Sequence, residues 1–467
     1  MSTAPLPDVR RSIGFWSGVG LFVGTVIGGG IFRTPASIAG VLGDPTLILA
    51  LWLGFGLVSL CGALTLAELA TMLPKTGGVY VYLRAAYGDS AAFVFGWVYL
   101  FAAIPSGLAA LAVFFGELML GFFGVAPATS AWAIPILASG AIVLLSAANI
   151  AGVRWGTSIQ NVFALLKVGA LLALIGVGLT SGAADFGRWF AEPAQPDTLA
   201  GLAAATKSVM FTLNGWVYIS LVAGEVVEPE RRLARMIMTS MATILVLYLL
   251  ANLAYLALIP LSAMPGTVVA REAMRVALGP TASVVMGACI LASVFGAMNG
   301  VILAKARVAY ALGRDGLIFS WLGRAHPTRA TPYVSILIQG GVAIVLIFAL
   351  TDPSSPLRLF DRLTAYFILV EWLALVFAIA AVFILRRTMP AAPRPYRVPG
   401  YPFVPAVFLV GTIVGLGAIL WSAISRGDYS PLFGLGIMAA GFPVYGLWRR
   451  KVGPAVPLTT TSAPPSD

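Results

Sequence analysis

Three consecutive glycines, Gly28, Gly29 and Gly30, interrupt the first apolar run of the chain, within Gly24-Thr-Val-Ile-Gly-Gly-Gly-Ile-Phe-Arg-Thr-Pro35. Each glycine weakens a helix interior by about 1 kcal/mol. A break here frees N–H and C=O groups that lipid cannot satisfy, so it should line a cavity inside the protein. The chemistry it offers is binding. Free amides at the start of one half-helix suit an anion, and free carbonyls at the end of the other suit a cation. Secondary transporters build mid-membrane sites from paired breaks of this kind. A second candidate break lies in Phe211-Thr-Leu-Asn-Gly-Trp-Val-Tyr218, with Asn214 and Gly215 in mid-span. Both residue types are poor helix formers. Alone, this pair reads equally as a polar kink; matched with the first break, it favours a site.

Two ionisable side chains also sit inside apolar runs. Lys167 has about eleven residues on either side of it within its run, roughly 17 Å of helix. A central lysine costs roughly 2.5–3.5 kcal/mol on insertion scales, and that distance is too long for easy snorkelling. Glu371 is mid-run and directly precedes Trp372. Three roles stay open for it: carrying a proton, touching a polar substrate, or a protonated carboxyl hydrogen-bonded between helices. Glu68, Glu117 and Glu225 lie nearer the ends of runs. Glu68 and Glu225 read as structural or gate charges paired with nearby Arg or Lys, or as solvated helix ends.

The elements that must position these groups follow from composition. Of 467 residues, 59% are hydrophobic and 10% charged, against about 25% charged in soluble domains. Mean hydropathy is +0.94. The fold class is an all-α polytopic membrane protein, with about twelve apolar runs near the ~20 residues needed per crossing. Residues 1–13 form a short N-terminal tail without the pattern of a secretory signal. Residues 14–179 hold runs one to five, 201–385 runs six to ten, and 402–448 two more; 449–467 read as a disordered tail. The net charge of +11 is explained by topology. With both termini inside, 20 of the 29 Lys and Arg fall on the cytoplasmic side, Lys305 among them, and six fall outside. That asymmetry is the positive-inside rule and argues against nucleic-acid binding. Cys61 and Cys289 fall within runs, and no cluster containing the single histidine, His326, has metal-ligand spacing. No metal and no cofactor are expected.

At its motifs the chain resembles the L-type amino acid transporter family of the amino acid–polyamine–organocation superfamily. The matching stretches are the first-run glycines, Ala67-Glu-Leu-Ala-Thr-Met-Leu-Pro-Lys-Thr-Gly-Gly78, Gly215-Trp-Val-Tyr218 leading to Gly224-Glu225, and Ser293-Val-Phe-Gly-Ala-Met-Asn-Gly300. His326-Pro with Thr331-Pro, and Arg394-Pro-Tyr-Arg-Val-Pro-Gly-Tyr-Pro402, extend the likeness over runs one to eleven. The resemblance implies a bacterial-type member with the leucine-transporter-type fold, a 5+5 inverted repeat with helices 1 and 6 broken. It also implies transport by alternating access, with an L-amino acid between spans 1, 3, 6, 8 and 10.

On that reading Gly29, Gly30 and Ile31 present amides to the substrate carboxylate. Carbonyls of Val26 and Ile27, with those near Phe211 and Asn214, hold its ammonium, and Gly215 permits the second break. The family often has Ser or Ala where this chain has Gly29, so backbone must suffice here. Phe211 is the gating aromatic or ordinary packing; Trp216 is structural. In relatives without sodium coupling, a lysine at the place of Lys167 occupies the sodium site, where it would bridge carbonyls near Gly24 or Thr25 to Ser293. Glu371 departs from the neutral polar residue common at its position. Ile104-Pro105 replaces an Arg-Pro of several relatives, which argues against anionic substrates. The expected function is sodium-independent exchange of neutral L-amino acids in the cytoplasmic membrane, with proton symport as the alternative. A membrane amino acid sensor is the alternative of another class; no nucleophile–base pair suggests an enzyme. Eukaryotic members bond an ancillary glycoprotein through a cysteine between spans three and four. The segment Gly124-Val-Ala-Pro-Ala-Thr-Ser130 has none, so no such partner is expected.

Overall fold

The computed structural model describes residues 13–75, 77–125, 132–151, 153–190, 198–217, 220, 223, 226–326, 331–355 and 358–452, without the side chains of 153–162, 164, 430 and 451–452. Glu225, both tails and most of 124–130 lie outside these residues. The described chain is a helical bundle; its one isolated β-bridge pairs Ile13 with Val226.

The first apolar run forms two helices, α1 (Phe15–Val26) and α2 (Gly30–Ala39). Helix α3 (Pro45–Met72) starts where Asp44 accepts a hydrogen bond from the Thr46 amide at 2.7 Å and Pro45 fills the first turn. Both are strong start signals. The short α4 (Val79–Tyr87) leads into α5 (Asp89–Val98), a π-helical turn at Tyr99–Ala103, and α6 (Ile104–Phe122). Together Asp89–Phe122 make one 34-residue crossing. Pro105 has no N–H to donate to the turn below it; the Ile104 amide instead reaches the Tyr99 carbonyl, five residues back. Next come α7 (Ala133–Ala151), α8 (Val153–Thr180), α9 (Leu199–Thr212) and α10 (Pro229–Leu258). The rest are α11 (Val269–Leu278), α12 (Pro280–Arg314), α13 (Tyr333–Leu350), α14 (Leu359–Thr388), α15 (Phe403–Ser425) and α16 (Ser430–Val452).

Ten helical stretches among the described residues are long and apolar enough to cross a membrane. Two shorter apolar helices, Leu165–Thr180 and Leu199–Thr212, stand where the fifth and sixth crossings were expected. The bundle is inside-out relative to a water-soluble protein. Leu165, Val345, Val414 and Phe403 are exposed on its outside, while Lys167, Lys305, Glu68 and Glu371 are buried. An apolar exterior of this extent is what a hydrocarbon solvent requires. The chain is a multi-pass membrane protein.

At the face where α1 begins, Glu68 near the end of α3 is buried and forms a clasp. Arg386 donates to it through Nε at 2.9 Å and Nη2 at 2.6 Å, and the Val398 amide at 2.7 Å. Arg394 lies 3.5 Å away. This ties the segment after α14 down onto α3. Burial beside this clasp pushes the Tyr396 phenol up to about 12. The sequence reading of Glu68 as paired is met; its partners lie more than 300 residues away. Removing one partner of a buried ion pair costs about 3–5 kcal/mol. Glu68→Ala should therefore lower the thermal midpoint of the detergent-purified protein clearly. An unchanged midpoint would show that the clasp holds nothing.

Candidate functional site

The two helix breaks face one another across a cavity. The first leaves Ile27, Gly28 and Gly29 between α1 and α2, and the second leaves 213–217 non-helical after α9. Thr25, Val26, Gly28, Gly29 and Gly30 line the cavity from the first break, and Phe211, Thr212 and Asn214 from the second. Gly107 and Leu111 of α6, Ala297, Val301 and Lys305 of α12, and Phe367 of α14 complete the wall.

Glycine is needed for close approach. A Cβ on Gly30 would stand 3.0 Å from the Thr212 Cα and 2.9 Å from its Oγ1. A Cβ on Gly29 would meet the Phe114 ring at 2.7 Å. The Thr34 and Thr212 hydroxyl oxygens, 2.8 Å apart, pin α2 to α9 beside this contact. Gly215 has φ of +113°, a backbone that side-chain-bearing residues resist. The first amides of α2 have no partner within the helix, so the Gly29 and Gly30 amides are left for the wall; their carbonyls accept the Phe32 amide at 3.3 Å and the Thr34 hydroxyl at 2.9 Å. Asn214 sits opposite, and neither its Oδ1 nor its Nδ2 hydrogen-bonds to a described residue.

Not every expected residue reaches the cavity. Ile27 and Ile31 are fully buried in the surrounding core, and Gly24 and Gly215 stand behind the wall. The Val26 carbonyl already accepts the Tyr248 hydroxyl of α10 at 2.9 Å, and the Ile31 carbonyl accepts Tyr255 at 3.3 Å. Phe211 packs edge-on against Phe360 at 5.4 Å and Phe367 at 5.9 Å, forming a lid on the α2 side. Beyond the lid, Arg33 grips Glu117 at 3.0 Å and stacks over Phe360. Lys207 pairs with Asp361 at 3.2 Å. Trp216 is buried against Phe408 of α15.

Lys167 is fully buried, so it does not snorkel. Its ammonium and the Ser293 hydroxyl are both without a hydrogen-bond partner among the described residues. The expected bridge between them is not closed in this conformation. Lys305, counted on the cytoplasmic side from sequence, is 1% exposed inside α12, nine positions before the helix ends. Its Nζ lies 3.5 Å from Glu371. Sequence reasoning missed Lys305 and Thr212 as cavity residues. The signal for Lys305 was an unmatched opposite charge, Glu371, in another apolar run.

A multi-pass helical protein whose first crossing breaks at a cavity lined by several helices belongs by architecture to the membrane carriers. The sequence comparisons narrow the class. Residues 13–441 match the family described as amino acid permease, and the chain belongs to that family. It is similar to the serine/threonine exchanger SteT of Bacillus subtilis, 31% identical over 95% of this chain and 98% of that protein. It is also similar to the human cystine/glutamate transporter, 28% identical over 95% of this chain and 87% of the relative. The human large neutral amino acids transporter small subunit 2 is 29% identical over 95% and 82%. The resemblance to the L-type family read from the motifs is thereby upheld. The protein is a membrane transporter and not an enzyme.

Gly30→Ala should reduce transport about tenfold or more, equivalent to roughly 1.4 kcal/mol, because Thr212 backbone cannot yield. Gly20→Ala, with nothing within 4 Å of the added Cβ, should transport normally. Equal activity of the two variants, at matched expression, would remove the close approach from the site.

Proposed function

We propose that this protein exchanges small to medium neutral L-amino acids across the cytoplasmic membrane by alternating access, without sodium. The observation that carries the reading is one cavity lined both by Gly29 and Gly30, at the start of α2, and by Asn214, whose side chain has no hydrogen-bond partner among the described residues. Amides at a half-helix start suit a carboxylate, and carbonyls around Val26, Phe211 and Asn214 suit an ammonium. Those two groups are what every α-amino acid shares. Thr25, Thr212, Gly107 and Leu111 leave room for a modest, uncharged side chain. The names of the relatives, a serine/threonine exchanger among them, support exchange. The matched breaks support a 5+5 inverted repeat within twelve crossings, with both termini cytoplasmic on the positive-inside count.

Lys167 stands in the role of a fixed cation at the place where sodium-coupled relatives of this fold hold an ion. Its burial without a hydrogen-bond partner in this conformation supports a partner gained in another, because an unpaired buried charge is costly. Lys167→Gln should leave the protein folded and slow exchange about tenfold or more, a loss of roughly 1.4 kcal/mol. Wild-type rates in that variant would return Lys167 to a packing role. The absence of a cysteine in 124–130 supports function without an ancillary glycoprotein.

The deciding measurement is uptake of labelled amino acids into proteoliposomes, loaded or empty, with and without an inward proton gradient. Uptake only into loaded vesicles, indifferent to sodium and protons, is the expected result. Concentrative uptake into empty vesicles driven by protons would replace exchange with symport and move attention to Lys167 and Glu371. Binding without any uptake would make the protein a sensor.

A further inference from the structure

Lys305 is the one charged side chain among the described residues that line the cavity. An unbalanced ammonium there would dominate the cavity, since no other charged side chain among the described residues lines it and screening inside the bundle is weak. The balance comes from Glu371, one helix away and behind the wall. The Glu371 Oε1 lies 3.5 Å from the Lys305 ammonium and accepts the Tyr99 hydroxyl at 3.4 Å. Its Oε2 makes no hydrogen bond to a described residue. The Tyr99 and Phe367 rings flank the ammonium, with centroids at 5.0 and 5.3 Å. Lys305 lines the cavity; Glu371 does not.

We infer that the Lys305–Glu371 pair sets the charge selectivity of the transporter, with Glu371 as the counter-charge that keeps the cavity neutral. While the pair is intact, an acidic side chain finds Lys305 already engaged and loses its own hydration without gaining a partner. A basic side chain meets the ammonium head-on. Uncharged side chains incur neither loss. Glu371 is a positioning and neutralising residue that acts through Lys305 without touching the substrate. This deepens the function proposed above and rests on it.

The test is counterflow and thermal-shift binding with L-serine, L-glutamate and L-lysine on the purified full-length protein. Wild type should exchange serine and ignore the other two. Glu371→Gln should admit glutamate, with the glutamate-to-serine uptake ratio rising about tenfold or more, and glutamate should now raise the melting temperature. The double variant Lys305→Gln/Glu371→Gln keeps the cavity neutral and should again exclude glutamate. Should Glu371→Gln not fold, Lys305→Gln reads the same device in reverse, admitting lysine. Glutamate exclusion that persists in folded Glu371→Gln overturns the inference, as does glutamate entry into the double variant. If wild type exchanges no neutral amino acid at all, the proposed function fails instead, which is a separate result.

Discussion

A helix that stops and restarts inside an apolar bundle must give its severed backbone groups somewhere to go. The rest of this structure is arranged around that requirement. Two tyrosines of α10 meet it from one side: Tyr248 donates to the Val26 carbonyl, and Tyr255 to the Ile31 carbonyl. Tyr248 is braced edge-on by Trp52 of α3. From the other side, the Thr34 and Thr212 hydroxyls hold α2 against α9. The Gly29 and Gly30 carbonyls are taken by the Phe32 amide and the Thr34 hydroxyl, which leaves the amides at the start of α2 for the cavity that both glycines line.

The charges of the bundle follow the same logic at larger scale. Lipid disfavours exposed charge, so among the described residues most charges within the bundle are turned inward and paired, Lys167 excepted. Arg33 with Glu117 and Lys207 with Asp361 close the face where α2 ends. Glu68 with Arg386 and Arg394, and Tyr80 with Asp315, tie together elements at the opposite face. The bridge from Ile13 to Val226 joins the segment just before α1 to the segment between the second break and α10. Moving a substrate across requires these two sets to part in turn, so polar contacts between helices are better suited to the task than continuous apolar packing. Apolar faces re-form wherever they meet; a paired charge specifies one partner.

Much of this was legible in the sequence, for physical reasons that also explain the gaps. The glycine triplet announced the first break because three successive glycines weaken a helix by about 1 kcal/mol each, and Asn214-Gly215 announced the second. Lys167 was recognisable as buried because it lies far from both ends of its run. Lys305 was not, because the apolar window stops at about the place where it begins, and a positive charge there resembles a helix end. The helix in fact continues to Arg314. Tyr248 and Tyr255 carry no sequence mark distinguishing them from packing aromatics, and their role exists only once α10 lies against the break. Ile27 and Ile31 were assigned for their backbone groups by position in the motif, and their buried side chains anchor the break in the core.

The π-helical turn at Tyr99–Ala103 has a geometric consequence for the third long crossing. In a regular α-helix, Tyr99 and Gly107 are eight steps apart and would point about 80° away from each other. A π-turn absorbs one additional residue without advancing the winding. The two positions are then related by seven effective steps, and the offset falls to about 20°. A single seam of this helix therefore carries Tyr99, which meets Glu371, and Gly107 and Leu111, which meet the cavity. One wall thereby serves both the chamber and the ion pair recessed beneath it, and any slippage of that turn along the helix would rotate the two out of alignment together.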